Sequence, residues 1–509
     1  MFSNHRFSRW AFFFTFFGSV VLATAASALT FDEVRAALER DPAATWKAAD
    51  NDKAEELQIA NREVPFGLPN NPDQGQSAFE VVRDGQEVGR DIPTYLDWRN
   101  KDGKNWLSPI KNQGACGSCV AFASMGVFEG QINVTSGRPD LNLDLSEQYL
   151  FAAIGKCDSG AWPDEAFSSL ESRGTPDETC LPYTSGRTAE DVDSSQACAD
   201  VKKRAYKLAN ADSLNSASSI KTALQNGPVS TTMTVYEDFM FYSEGVYQHV
   251  TGSAVGGHAV VIVGYDDAND AWIVRNSWGA DWGEKGYFRI KRNDDSDLGQ
   301  SGHKLTVNKV SKLVKLLEPV YFGAVSQAAV LKIENKADAK LKDAKFEIVN
   351  MKDASQKITG AIDVTSMQAS VSVGHVTDGV YQVMIAGTFA DGSTVEKPWY
   401  STMFIANKAP EIQVKLNPEF DVNTPISGKV YTKIEVRYGA IPLSDVVLIF
   451  KQKNGSYERK ARIESPGDGL KVSWRSNTAP NGDYEIYAIG NVGTLYQFES
   501  QRLSVKVKN

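Results

Sequence analysis

One cysteine in this sequence lies where its thiol could act as a nucleophile. Cys119 follows a Gly-Ser pair and opens the apolar run 120–128, whose spacing predicts a helix. The dipole and unpaired N–H groups at the start of a helix favour a thiolate, and those N–H groups can also receive an oxyanion. The Gln113 side-chain amide would be the second oxyanion donor. A buried structural cysteine, or a redox pair or half zinc site formed with Cys116, are the alternatives at this point.

A histidine and an asparagine far downstream of Cys119 could complete such a site. His258 opens a very apolar predicted strand, and Asn276 follows the end of another. A turn at 266–270 would pair the two strands and bring Asn276 to the imidazole. Asn276 would then accept one imidazole N–H and fix the tautomer, while Trp278 shields that bond from water. Nucleophile, base and orienting group would thus be present together.

The overall composition is that of a folded protein with several domains. The 509 residues suffice for three or four domains of about 150 residues each. The formal charge is −9 and the sequence has no basic run or aromatic-basic stripe, so nucleic acid is not an expected partner. All five cysteines lie between Cys116 and Cys198, and their odd number suggests two disulfides and one thiol left for chemistry.

The first residues have the features of a secretory signal peptide. A basic start at 5–9 precedes the apolar run 10–26, and residues 26–28 (ASA) form a small-residue cleavage site. The run is at the short limit for a membrane span, so an uncleaved anchor is the alternative that the cleavage site disfavours. We expect removal of residues 1–28 and a mature protein that is secreted or periplasmic, has no further membrane span and can keep disulfides.

Composition changes divide the rest of the chain into three parts. Residues 29–90 open with a helical pattern and continue as a polar, proline-containing stretch, which predicts a linker or a small docking segment. Residues 91–312 are rich in Trp and Gly and carry every cysteine. The sequence after residue 312 has no cysteine and shows strand-like alternation.

The last two hundred residues contain a repeat. The stretch 378–383 (DGVYQV) matches 481–486 (NGDYEI), and the same offset of 103 positions recurs at a glycine further along each segment. About a hundred residues is the size of one β-sandwich, and a tyrosine that enters a strand after a turn is typical of the tyrosine corner of immunoglobulin-like folds. We therefore predict two sandwiches, 313–407 and 408–509, with one larger β domain as the alternative.

The motifs around the candidate site resemble those of the papain-like cysteine peptidases. The resemblance covers roughly 220 of the 509 residues in the same order, and the nucleophile signature with distant His and Asn is typical of the family. Within the family, the stretch 236–259 is similar to cathepsin B, and 45–48 more weakly to the cathepsin B prosegment. The matching motifs are Ile92-Pro93-x-x-x-Asp97-Trp98-Arg99, the stretch from Gln113 to Cys119, Leu145-Ser146-Glu147-Gln148, Gly227-Pro228-Val229, Gly257-His258-Ala259, Asn276-Ser277-Trp278-Gly279, Trp282-Gly283 and Gly286-Tyr287-Phe288.

The resemblance implies a catalytic role for four residues. Cys119 would be the nucleophile and His258 the general base and acid. Asn276 would orient the histidine, and Gln113 would donate to the oxyanion. Trp278, which would shield the hydrogen bond between His258 and Asn276, would also border the substrate.

The resemblance also implies the disulfide pairing and part of the substrate site. Residues 157–160 (CDSG) match the Cys-Asn-Gly-Gly turn of the family, which implies a Cys116–Cys157 disulfide and leaves Cys180–Cys198 as the second pair. Gly160 would then hydrogen-bond the substrate backbone, and Gly257 would border a roomy pocket for the second substrate side chain.

Three departures from the family pattern bear on activity. Val120 stands where the family almost always has a tryptophan that packs beneath the site, so its loss could loosen the site. Ser159 replaces the first glycine of the substrate-binding turn. The histidine-bearing insertion to which cathepsin B owes its dipeptide trimming has no counterpart in 157–207, so we expect a cleft open at both ends and endopeptidase activity.

The expected fold class is α+β. It comprises a papain-like two-lobed catalytic domain, with a helical lobe and a β-barrel-like lobe, followed by two all-β immunoglobulin-like sandwiches. The expected function is that of an exported cysteine endopeptidase made as a zymogen. Residues 29–90 would be its prosegment, released by cleavage near Asp91.

Two other functions are alternatives to peptide hydrolysis. One is a catalytically silent scaffold whose sandwiches carry the binding, which only Val120 supports. The other is acyl transfer to an amine. No cofactor and no metal are expected, because the cysteines are needed for disulfides and no histidine lies near them in sequence. The expected partners are protein or peptide substrates, and a surface or partner protein bound by the sandwiches.

Overall fold

The computed structural model describes most of the chain from Leu29 onward. The predicted signal peptide, 1–28, and the greater part of the predicted prosegment lie outside the described residues. Within the described part, no helix is long and apolar enough to cross a membrane. The described residues are 29–50, 68, 92–319, 323–408, 413–437, 444–463, 470–476, 479–492 and 496–509.

A long buried helix and a large sheet organise residues 92–307, called the first domain below. The helix, Cys119–Ser136, is buried on nearly every side because its residues are mostly small or apolar around its whole circumference. It ends at Gly137, whose φ of 65° is left-handed and whose N–H donates to the Asn133 and Val134 carbonyls. The helices are α1 (Phe31–Arg40), α2 (Cys119–Ser136), α3 (Glu147–Ile154), α4 (Pro163–Ser172), α5 (Ser185–Thr188), α6 (Val201–Arg204) and α7 (Ala217–Ala223), with 3₁₀ turns at Ser194–Gln196, Leu224–Asn226 and Glu237–Phe241.

The sheet of the first domain has eight strands in the order β3-β10-β4-β7-β8-β9-β6, and β2 also pairs with β7. Strands β7 and β8 form the antiparallel hairpin that the sequence predicts, with Asp266 paired to Ala271. Among the described residues the end strands β3 and β6 do not pair, so the sheet is open where the resemblance implies a barrel-like lobe. The strands here are β1 (Lys47–Ala48), β2 (Tyr95–Asp97), β3 (Leu208–Leu214), β4 (Val229–Tyr236), β5 (Tyr242–Glu244), β6 (Val246–Tyr247), β7 (Ala254–Asp266), β8 (Ala271–Arg275), β9 (Tyr287–Lys291) and β10 (Gly302–Val307).

The later strands form four sheets in two sets, and in the described residues no sheet mixes the sets. The first sandwich, β11 to β18, has sheets β11-β13-β16 and β12-β18-β17-β14-β15. The second sandwich, β19 to β26, has sheets β19-β20-β23 and β22-β21-β24-β25, with β26 also on β24. The strands are β11 (Val314–Glu318), β12 (Gly323–Val325), β13 (Ala328–Asn335), β14 (Leu341–Asn350), β15 (Lys357–Ile362), β16 (Gln368–Ser372), β17 (Gly379–Phe389), β18 (Trp399–Ile405), β19 (Gln413–Pro418), β20 (Lys429–Arg437), β21 (Ser444–Gln452), β22 (Glu458–Ile463), β23 (Leu470–Arg475), β24 (Gly482–Val492), β25 (Tyr496–Glu499) and β26 (Leu503–Val507).

The repeat found in the sequence has a structural counterpart in two buried tyrosines. The Tyr381 hydroxyl donates to the Thr377 carbonyl at 2.8 Å, and the Tyr484 hydroxyl donates to the Pro480 carbonyl at 2.7 Å. Both rings are fully buried. Each tyrosine therefore closes the turn that leads into its own central strand, β17 or β24, as in a tyrosine corner.

The first sandwich docks on the first domain through charged and aromatic side chains. The Arg204 guanidinium lies 3.5 Å from the centroid of the Tyr400 ring, and the Tyr400 hydroxyl donates to Asp200 at 2.7 Å. Arg138 forms an ion pair with Asp338 at 2.8 Å. The two contacts of Tyr400 hold strand β18 against helix α6, and the ion pair joins the residues that follow α2 to those that follow β13.

The two tyrosine hydroxyls provide a test of the division into two sandwiches. Tyr381→Phe and Tyr484→Phe should each cost about 1 kcal/mol, because each removes one buried hydrogen bond and leaves a carbonyl unpaired. Calorimetric unfolding should show a different transition shifted by each variant. Tyr487→Phe is the control, since Tyr487 lies in the same strand β24 and a phenylalanine ring keeps its contact with Arg502. One transition shifted equally by both variants would instead indicate a single larger β domain.

Candidate active site

The Cys119 thiol lies between the start of helix α2 and strand β7. Its Sγ accepts a hydrogen bond from the Ala259 amide at 3.2 Å, and Ala259 directly follows His258 in β7. Cys119 and His258 are both fully buried. The helix start and the histidine-bearing strand, 140 positions apart in sequence, therefore meet at the sulfur.

Asn276 fixes the state of the His258 ring. His258 Nε2 lies 2.9 Å from Asn276 Oδ1, and the same oxygen accepts the Ser277 backbone N–H at 2.8 Å. A backbone N–H can only donate, so this Asn276 atom is the carbonyl oxygen and the imidazole must donate to it from Nε2. In the neutral ring Nδ1 then carries the lone pair and is the nitrogen able to take a proton.

Trp278 covers the His–Asn pair. Its ring stacks on the His258 ring with centroids 5.0 Å apart and planes at 30°. It also packs edge-on against Trp282 at 4.9 Å and Phe239 at 5.6 Å. His258 and Asn276 are both buried, and this aromatic layer lies between their hydrogen bond and the solvent.

Hydrogen bonds to Ser277 and Cys116 hold Gln113 at the site. Its Oε1 accepts from the Ser277 hydroxyl at 2.7 Å, and its backbone N–H donates to the Ser277 carbonyl at 2.9 Å. Its Nε2 donates to the Cys116 carbonyl at 3.2 Å. A side-chain amide carries two N–H groups, so one of them is left for a further acceptor such as an oxyanion.

Two residues with a structural part in this site escaped the sequence analysis. Ser277 holds Gln113, and only its position next to Asn276 could have pointed to it. Tyr183 lies on a loop before α5, where its hydroxyl donates to the Gln113 carbonyl at 2.8 Å and lies 2.6 Å from the Ser118 hydroxyl. No motif in the sequence marks Tyr183, because only the fold brings it to the loop that precedes Cys119.

The structure places Gly160 near Cys157 in a tight turn. Its φ is 73°, a left-handed conformation that favours glycine. Its N–H donates to the Lys156 carbonyl at 2.8 Å. Use of this N–H by a substrate, which the resemblance implies, would require this hydrogen bond to open.

Gly257 lies beside a residue of the predicted prosegment. The Leu68 backbone N–H donates to the Gly257 carbonyl at 3.4 Å, and a Cβ on Gly257 would lie 2.9 Å from Leu68 Cβ. The space that the sequence analysis expected beside Gly257 is thus filled by Leu68. Val120, which replaces the family tryptophan, is 1% exposed within the core of the first domain, so this side of the site is closely packed.

The cysteines form two disulfides and one free thiol. Cys116–Cys157 and Cys180–Cys198 have Cα–Cα distances of 4.5 Å and 4.9 Å, within the range for disulfides. Cys119 is free. Within the described ranges, no group of three or more His, Cys, Asp or Glu side chains is arranged to hold a metal ion.

The thiolate expected from the helix start is not favoured in this closed state. Burial raises the pKa of the Cys119 thiol to about 12, and the hydrogen bonds from the Ala259 and Val120 amides lower it only in part. The expectation of a depressed pKa was therefore wrong for this state, because loss of water around the sulfur outweighs the helix dipole and the amide hydrogen bonds.

The raised pKa predicts a slow, strongly pH-dependent reaction of Cys119 with iodoacetamide in the full-length chain. Only the thiolate reacts, so the labelling rate should rise about tenfold per pH unit from about pH 8 to about pH 11. Intact mass measures the label and shows that residues 29–90 are still attached. The other four cysteines are in disulfides and give no background. A rate that levels off near neutral pH would contradict this prediction.

Part of this chain is similar to known proteins. The family described as papain family cysteine protease matches residues 92–307. Cathepsin B-like CP2 of Giardia intestinalis is 34% identical over 287 residues, which cover 53% of this chain and 91% of that protein. Pro-cathepsin H of Mus musculus is 37% identical over 211 residues, or 39% of this chain and 60% of that protein. The solved structure of proCathepsin B S9 from Trypanosoma congolense is 24% identical, with a TM-score of 0.46, over 55% of this chain and 99% of that one. Because the match to the Giardia protein has 34% identity and covers 91% of that protein, this chain belongs to the papain family of cysteine proteases.

Proposed function

We propose that this protease cleaves peptide bonds inside protein chains, with Cys119 as the nucleophile. The observation that carries the proposal is the meeting of Cys119 with the strand of His258, whose Nε2 is committed to Asn276. This arrangement leaves His258 Nδ1 as the base. A nucleophile, a base and a group that orients the base are the parts that activated-thiol catalysis needs.

The proposed reaction begins when His258 Nδ1 takes the Cys119 proton and the thiolate attacks the substrate carbonyl carbon. The resulting oxyanion would receive N–H groups from the start of α2 and from Gln113 Nε2. His258 then gives its proton to the leaving amine, and a thioester forms between the substrate acyl group and Cys119. Water, deprotonated by His258, hydrolyses the thioester and restores the thiol.

Cys119→Ala should abolish the cleavage of an unstructured protein, with a loss of about 10⁴-fold or more. It should also abolish labelling of the processed enzyme by an epoxide reagent directed at active-site thiols. Fragments and labelled mass are measured under mild reductant at slightly acid and neutral pH. His258→Gln should also abolish cleavage, because it removes the proposed base. His303→Gln is its matched control, because His303 forms a hydrogen bond with Asp164 outside the site. A folded, processed wild type without cleavage or label would favour the silent scaffold.

Two features of the segment 157–207 support internal cleavage over trimming from an end. The segment has no histidine, whereas the insertion to which cathepsin B owes its dipeptide trimming carries one. Its helices α4, α5 and α6 are short, with ten, four and four residues, so they do not form a long insertion of that kind. Peptides blocked at both termini distinguish the two modes, because an endopeptidase cleaves them and a terminal trimming enzyme does not. Mass analysis of the products also separates hydrolysis from acyl transfer to an added amine.

We also propose that residues 29–90 inhibit the enzyme until they are removed. Helix α1 begins with a capping box between Thr30 and Glu33 and buries Val34 completely. Strand β1 pairs with β5 of the first domain. This N-terminal segment is therefore anchored on the catalytic domain, and Leu68 lies further along it at Gly257, next to His258.

Trp46 is the main anchor of this segment. It is 3% exposed, packs on Tyr247 with centroids 5.2 Å apart, and donates from Nε1 to the Gln248 carbonyl at 2.9 Å. Both the apolar area and the hydrogen bond would be lost on release of the segment.

Trp46→Ala should weaken inhibition by a separate 29–90 peptide about 100-fold, because it removes about 3 kcal/mol of contact. The inhibition constant against the processed enzyme is the measurement. Arg35→Ala in the same peptide is the control, since the Arg35 side chain is 59% exposed. A fully active enzyme that still carries Leu29 as its first residue would contradict the zymogen proposal.

We infer in addition that the enzyme acts outside the cytoplasm. The two disulfides support an oxidising compartment, and the signal-like residues 1–28 support export. The two C-terminal sandwiches are proposed to be immunoglobulin-like, with their tyrosine corners as support. N-terminal sequencing of the exported protein would test the cleavage after Ala28.

A further inference from the structure

The second sandwich carries a net charge of opposite sign to the rest of the chain. Residues 408–509 contain 15 Lys and Arg against 11 Asp and Glu, which gives +4, whereas the whole chain has −9. The remainder of the chain therefore carries −13. Such a separation of charge within one chain indicates a surface that meets an anionic partner.

The basic residues of this domain concentrate on one face of the three-stranded sheet β19-β20-β23. Alternate residues of a strand lie on the same face of a sheet. Leu416 of β19, Val430 of β20 and Trp474 of β23 are buried in the core of the sandwich, so the positions that alternate with them belong to the outer face. Those positions carry six basic residues and one acidic residue, namely Lys415, Lys429, Lys433, Arg437, Lys471 and Arg475, with Glu435.

The register of β20 and β23 twice places like charges directly opposite each other. Lys429 lies opposite Arg475 in this antiparallel pair. Lys433 likewise lies opposite Lys471. These two pairs are called the basic rows below. Like charges opposite each other on one face of a sheet are destabilising, so the basic rows favour a function in binding rather than in stability.

The other sheet of the same domain has its basic residues next to acidic ones. Lys460 forms an ion pair with Glu458 at 3.0 Å. Arg502, just before β26, forms ion pairs with Glu485 and Glu499, each at 2.7 Å. With six basic residues and one acidic residue, the outer face of β19-β20-β23 accounts for the whole net positive charge of the domain.

The outer face is open to solvent at the positions where burial is known. Lys415 is exposed, and Asn417 and Tyr431 are half-buried. Tyr431 lies between the two basic rows, opposite Ser473. The rows are four residues apart along the strands, which is about 13 Å. The face therefore presents a tyrosine with a pair of basic residues on either side of it.

We propose that this outer face binds an anionic polysaccharide. Carboxylate or sulfate groups of the polymer pair with the two basic rows through charge-assisted hydrogen bonds. The apolar face of a sugar ring lies on Tyr431 between the rows, because an aromatic ring offers a flat apolar surface. The binding is independent of the catalytic function proposed above, since no residue of the active site takes part in it.

Two other anionic partners fit the outer face less well. Attachment to a membrane surface is strengthened by apolar side chains that enter the lipid, and the outer-face positions of β19, β20 and β23 carry no large aliphatic residue. Single-stranded nucleic acid is held by several aromatic residues on which successive bases stack, and this face has only Tyr431. A polymer with anionic groups spaced along it requires neither feature.

Five probes test the proposal: polygalacturonate, heparin, neutral dextran, oligothymidylate and phosphatidylglycerol vesicles. Each is titrated by calorimetry into the full-length protein carrying Cys119→Ala, which prevents self-cleavage. Polygalacturonate or heparin should bind, and the tighter of the two identifies carboxylate or sulfate as the recognised group. Binding should weaken about tenfold between about 0.05 M and about 0.5 M NaCl, because salt screens the charges, and dextran should not bind. Binding of neither acidic polysaccharide, or tighter binding of oligothymidylate or the vesicles, would overturn the proposal.

Charge reversal in the basic rows separates binding from stability. Lys433→Glu should weaken binding of the polysaccharide about tenfold, because it replaces an attraction by a repulsion. The same change puts opposite charges across from each other at Lys471, so the thermal unfolding midpoint should stay the same or rise. Arg475→Glu, opposite Lys429, repeats the test in the other row.

Lys460→Glu is the matched control for these variants. It changes the net charge by the same amount on the other sheet, where the Lys460 side chain is 62% exposed, and it should leave the dissociation constant within about twofold. An equal loss of binding in Lys433→Glu and Lys460→Glu would assign the binding to net charge alone. Unchanged binding in Lys433→Glu and Arg475→Glu would place the polymer elsewhere. Either result refutes the proposal.

Discussion

The contact between the start of helix α2 and strand β7 is the constraint on which the rest of the catalytic domain depends. The hydrogen bond from the Ala259 amide to Cys119 Sγ joins a helix and a strand whose sequences are far apart. Helix α2 can bring its first residue to that point only because it is buried on nearly all sides. The hairpin of β7 and β8 in turn brings Asn276 to His258. A shift of either element would separate the Cys119 thiol from the strand that carries His258.

The same burial that assembles the site also keeps its thiol protonated. In water, the helix dipole and two amide hydrogen bonds would favour the thiolate. In the closed state, desolvation outweighs them and raises the pKa of Cys119 to about 12. The N-terminal segment is anchored through Trp46 and reaches Gly257 with Leu68, so inhibition and burial are proposed to have a common origin. Opening of the cleft would then both admit substrate and rehydrate the sulfur.

The C-terminal part does more than follow the catalytic domain in sequence, because its first sandwich is docked on that domain. Arg204 and Tyr400 hold the first sandwich on the peptidase domain, and a cavity between the two domains has mostly apolar walls, with Glu178 among its polar lining residues. The chain thus has two places where burial disfavours the charged form of a side chain. In the active site the pKa of a thiol is raised, and at the domain junction the pKa of Glu178 is raised.

Four features can be read from the amino-acid sequence alone, because each is local in the chain or follows a short-range pattern. They are the family motifs, the order of the site residues, the β7–β8 hairpin and the 103-residue repeat. The folded structure sets the protonation of Cys119, since the pKa of the thiol depends on how much water the packed domain leaves around the sulfur. It alone brought Tyr183 to Gln113 and Leu68 to Gly257, because those contacts join segments without a shared pattern. The cavity beside Glu178 is likewise a property of two docked domains, and no stretch of sequence encodes it separately.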